Sequence, residues 1–99
     1  MTRIHQNKAL HYTEKNNKFN SITILVNDIN FVKKGYTYFT DDANKRKTCV
    51  TIVVKGEYIK LKFIGADCEK RANKVYSCIN NIIDGTVFTN PHWEVDYIE

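Results

Sequence analysis

The chain has 99 residues, 42% of them hydrophobic and 12% aromatic, and a formal net charge of +4. That length fits one domain burying roughly two thirds of its extended surface, enough for one core and too little for a second lobe with a deep cleft between the two. The apolar fraction excludes a disordered chain, and no run approaches the ~18 consecutive apolar residues of a membrane span.

Charge is unevenly spread. Residues 1–50 carry nine Lys/Arg against four Asp/Glu, residues 51–90 carry six against four, and residues 91–99 carry only Glu94, Asp96 and Glu99. A mildly basic body with an acidic tail steers polyanions or acidic protein partners toward it. Lys, Asn and Ile dominate the composition, a bias expected of an AT-rich genome and in keeping with a short phage-type or mobile-element-type protein. Cys49, Cys68 and Cys78 form no CxxC pair and are odd in number, so they are expected as reduced thiols of a cytoplasmic protein. Residues 1–8 include no apolar h-region, which disfavours export.

In chain order, residues 1–18 are polar and end in Glu14-Lys15-Asn16-Asn17-Lys18, which reads as a partly ordered arm preceding a single domain over 19–99. Ile22, Ile24 and Val26 alternate with Ser21, Thr23 and Leu25 and predict a first strand, and Asn27-Asp28 supplies a turn into a second at 29–32. Lys33-Lys34-Gly35 interrupts the chain before the β-prone run 36–40, which contains Tyr36 and Tyr38. The polar loop 41–47 holds the basic triplet Lys45, Arg46 and Lys47. Residues 48–54 are rich in β-branched side chains, and Lys55-Gly56 suits a tight hairpin turn into the strand 57–64. In that strand the period of two sets Ile59, Leu61 and Phe63 on one face and Tyr58, Lys60 and Lys62 on the other.

A helix is predicted over 67–83. Asp67 is its expected cap, and Ala72, Val75, Tyr76, Ile79, Ile82 and Ile83 recur at the spacing of one buried stripe. Gly85 is placed to close it in the left-handed conformation. Residues 86–88, and 93–98 beyond Pro91, offer an edge strand. The expected fold is therefore α+β, an antiparallel meander of four to five strands with one main amphipathic helix packed on one face.

Catalytic and metal motifs are absent from the pattern. His5, His11 and His92 are scattered, and two of them fall in the expected arm, where general acid–base geometry would not be held. No metal, cofactor or catalytic residue is expected, and the chain reads as non-enzymatic. Two surface readings remain. One is an inhibitor or modulator that binds a macromolecular partner, most plainly a protein, through exposed aromatics: Tyr12, Tyr36, Tyr38, Trp93 and Tyr97, with Trp93 the sharpest candidate although ordinary core is the stronger expectation for it. The alternative is single-stranded RNA or DNA on a basic, tyrosine-bearing sheet face made by Tyr58, Lys60 and Lys62, with Lys45, Arg46 and Lys47 as further phosphate contacts.

Overall fold

A computed structural model describes residues 9–85 and 92–99. Among the described residues, seven strands form two sheets, and one long helix packs against them. The α+β class and the main helix agree with the sequence.

The four-stranded antiparallel sheet contains β3 (Ile29–Lys34), β4 (Lys47–Val54), β5 (Glu57–Ile64) and β7 (Tyr97–Ile98), in that spatial order. Its centre is the β4–β5 hairpin, in which Val54 faces Glu57 across Lys55 and Gly56. Both turn residues have positive φ, +50° and +82°, the two-residue turn whose twist matches that of the strands it joins. As the alternation of β5 requires, Leu61 and Phe63 point inward and are buried, while Tyr58 and Lys60 are exposed and Lys62 is half-buried.

Helix α1 (Cys68–Ile83) lies across β3, β4 and β5. Its stripe of Cys68, Ala72, Val75, Ile79 and Ile82 is buried against Val50, Ile52, Leu61 and Phe63. Fully burying such aliphatic side chains contributes about 1.5–3 kcal/mol each, which makes this layer the main source of stability. Ile83, expected in the stripe, is instead exposed in the last turn, beside the buried Ile82. Gly85 has φ +78° and closes the helix as expected. Asp67 does not cap it with its side chain. Its carboxylate accepts from Arg71 Nε at 3.1 Å instead, so a one-turn ion pair takes the place of the cap hydrogen bond.

The second sheet departs from the expected single meander. It has three strands, β2 (Ser21–Leu25), β1 (Ala9–Glu14) and β6 (His92–Val95), with β1 central, antiparallel to β2 and parallel to β6. The polar arm expected over 1–18 is thus a core strand over Ala9–Glu14, with Leu10 and Tyr12 fully buried; residues 1–8 lie outside the described residues. The period of two explains this: His11 and Thr13 face outward, and two buried side chains suffice to anchor a strand that is hydrogen-bonded on both edges.

Two further expectations change. The β-prone run 36–40 forms only one antiparallel bridge, Tyr38 to Lys47: the Gly35 N–H still donates to the Cys49 carbonyl, and the chain leaves the ladder after it. The expected edge strand near 93–98 divides between the sheets. β6 joins the three-stranded sheet, β7 joins β5, and Asp96 sits at the crossing. Its Oδ2 accepts from the Ile64 N–H at 2.7 Å and from Arg71 Nη2 at 3.0 Å, while its own N–H donates to the Lys62 carbonyl. Residues 86–88 lie outside the described residues.

Candidate functional site

The outward face of the four-stranded sheet is ordered in rows by strand register. Directly paired residues share a face, and successive rows stand about 6–7 Å apart along the strands. One row is Phe31, Val53 and Tyr58; the next is Lys33, Thr51 and Lys60; the third is Cys49, Lys62 and Tyr97. Glu99 exchanges backbone hydrogen bonds with Lys60 at the edge of the second row.

Two contiguous hollows cross this face and share Cys49, Lys62 and Glu99. One, of about 490 Å³, is walled by Tyr36, Tyr38, Lys47 and Tyr97; the other, of about 430 Å³, by Lys33, Thr51, Tyr58 and Lys60. The tertiary structure therefore brings together Tyr36, Tyr38, Tyr97, Tyr58, Lys60, Lys62 and Lys47, drawn from both sets of candidates. Tyr36 is fully exposed, and Tyr38, Tyr58 and Tyr97 are each at least half exposed.

Lys62 forms a direct ion pair in the hollows: its Nζ donates to Glu99 Oε2 at 2.7 Å. This hydrogen bond raises the lysine above its ordinary value and lowers the glutamate below its own. A ligand phosphate entering here meets a lysine already partnered by a carboxylate.

Other candidates stand apart. The Arg46 guanidinium lies over the Phe39 ring, 5.3 Å from its centroid, and Lys45 is exposed in a 3₁₀ turn whose Asp42 carboxylate accepts from the Asn44 N–H. Neither lines the two hollows. Trp93 is half-buried on β6 opposite Tyr12, packs against the core, and borders a different and larger groove of about 940 Å³ along the outer side of α1. That groove mixes Asp67 and Glu69 with Lys70 and Lys74, so it has no single chemical character. Tyr12 is fully buried and offers no surface anchor; desolvation pushes its phenol well above the ordinary range, with proximity to Cys78 adding to the effect.

Sequence reasoning missed Phe31, Lys33 and Glu99 on the platform. Alternation within β3 pairs Phe31 with Lys33, but the register shift between Ile29 and Phe31 decides which face they occupy, and no local pattern announces it. Glu99 was visible only as part of an acidic tail.

The three cysteines are free. Burial pushes the Cys78 thiol up, away from the reactive thiolate, and Cys68 is buried with its Sγ 3.3 Å from Thr48 Oγ1. Among the described residues no three His, Cys, Asp or Glu side chains stand close enough to share a metal ion, and no helix is long and apolar enough to cross a membrane. No protein-family model, no curated protein and no solved structure matches this chain.

Proposed function

We propose that the outward face of the four-stranded sheet binds single-stranded nucleic acid, RNA foremost, and that the protein acts by occupying it rather than by catalysis. The observation that carries this reading is the convergence of four exposed tyrosines and the lysines Lys33, Lys47, Lys60 and Lys62 on two connected hollows. Tyrosine rings stack on any base, and lysines neutralise the backbone between them, so such a face grips a flexible strand with little sequence preference. The rigid β4–β5 hairpin holds Tyr58, Lys60 and Lys62 in fixed rows, which lowers the ordering cost of binding.

A second reading keeps the same surface and exchanges the ligand. The complete exposure of Tyr36 suits an aromatic anchor for a protein partner, as in a small cytoplasmic inhibitor of phage or mobile-element type. Fluorescence anisotropy of labelled single-stranded RNA, single-stranded DNA and duplex DNA at 50 and 200 mM salt separates the two. Nucleic-acid binding gives micromolar or tighter affinity for single strands that falls steeply with salt, and Lys60→Glu with Lys62→Glu removes it. An absence of binding at 50 mM salt overturns the nucleic-acid reading and leaves the protein partner.

A further inference from the structure

The outward face of the three-stranded sheet carries a second chemical cluster, independent of the tyrosine and lysine platform. His11 and His92, scattered in the sequence, are direct neighbours on the parallel strands β1 and β6. Their ring centroids are 6.4 Å apart, with the planes inclined at 77°. Each ring has one nitrogen engaged by a threonine hydroxyl: His11 Nδ1 with Thr23 Oγ1 at 3.0 Å, and His92 Nε2 with Thr13 Oγ1 at 3.0 Å. These four side chains line one shallow hollow of about 390 Å³.

A neutral imidazole that donates one N–H holds a lone pair on the other nitrogen. With the threonines accepting, the lone pairs fall on His11 Nε2 and His92 Nδ1. A hydroxyl that fixes tautomer and ring orientation is the outer-shell support that ligating histidines ordinarily have. We propose that His11 and His92 jointly bind a first-row divalent transition ion, Zn²⁺ as the probe, through those two nitrogens, with water completing the coordination.

Zinc–nitrogen bonds of about 2.0–2.1 Å bring two ring centroids around a shared tetrahedral ion to about 5–6 Å. The observed 6.4 Å is therefore within reach of a modest rotation of His92, which is exposed. Glu94, two residues along the same face of β6, is engaged by Lys18 at 2.6 Å, so the site offers two neutral nitrogens and its affinity is modest. Imidazole ligands select Zn²⁺, Ni²⁺ or Cu²⁺ over Mg²⁺ and Ca²⁺. An ion held here ties β1 to β6 and stabilises the fold by mass action.

The test is calorimetric titration of the full, tag-free, chelator-treated chain with ZnCl₂, together with its thermal unfolding midpoint with and without the ion. One ion per chain is expected, with micromolar affinity and a raised midpoint. His11→Ala and His92→Ala each abolish both effects, His5→Ala changes neither, and Thr23→Val weakens binding about tenfold by releasing the ring. The midpoint of each variant in EDTA, equal to that of the parent, shows that folding is intact. No uptake at millimolar Zn²⁺, uptake surviving His92→Ala, or uptake lost in His5→Ala would each overturn the assignment.

Discussion

Lys62 Nζ lies 2.7 Å from Glu99 Oε2 at the point where the two hollows of the sheet face meet. The carboxylate holds the place that a backbone phosphate would take, so the proposed ligand must displace it.

Glu99→Gln is therefore expected to raise affinity for single-stranded RNA severalfold at low salt, read by anisotropy. The pair also has a defined pH window. Glu99 titrates below its ordinary 4.5, so the ion pair is present above that value and is lost as pH falls through the lowered one. Lys62 titrates above its ordinary 10.5, so the pair is lost on the basic side only as pH rises through the raised one. Between pH 6 and 9 this contact should leave RNA affinity flat, and a step in that range absent from Glu99→Gln would contradict the assignment.

Replacement of the exposed platform tyrosines tests stacking apart from folding. Tyr36→Ala and Tyr58→Ala should each weaken single-strand binding by about 1–3 kcal/mol. Both side chains are mostly solvent-exposed, so urea midpoints should barely move. Lys60→Ala should lower the slope of log affinity against log salt by about 0.7, the value for one phosphate contact on a single strand.

Among the described residues the buried Tyr12 hydroxyl has no hydrogen-bond partner. Removing an unsatisfied buried polar group relieves its desolvation penalty, so Tyr12→Phe should stabilise the fold by about 1 kcal/mol in urea denaturation. A loss of stability would show that the hydroxyl has a partner, such as a buried water.

Asp96 joins the sheets and the helix through its contacts with Ile64 and Arg71. Asp96→Ala should cost about 2–3 kcal/mol, because it strands the partly buried Ile64 N–H and removes one of the two carboxylates that pair Arg71, leaving that guanidinium with Asp67 and the Ile64 carbonyl. Ile79→Ala, which empties a fully buried position under the helix, should cost about 2–5 kcal/mol.

Local chemistry was legible without coordinates. The alternation of β5, the positive-φ turn at Lys55 and Gly56, the buried stripe of α1 and its closing glycine each depend on residues within a few positions of one another, where backbone geometry alone assigns faces and ends. The inward set Ile59, Leu61 and Phe63 and the outward set Tyr58, Lys60 and Lys62 follow from that geometry without reference to any partner strand.

Long-range pairing decided the rest. Nothing near Leu10 and Tyr12 signals that β1 is the centre of a sheet, since its role comes from ladders formed with residues 21–25 on one side and 92–95 on the other. The same pairing sets His11 beside His92 and turns Trp93 toward the core, while departure of the chain from the ladder after Gly35 carries Tyr36 and Tyr38 toward Lys62. Alternation and helical spacing assign the face that each strong local element presents. Which distant faces meet depends instead on burial and backbone hydrogen bonds summed over the whole chain, and only the folded arrangement supplies that.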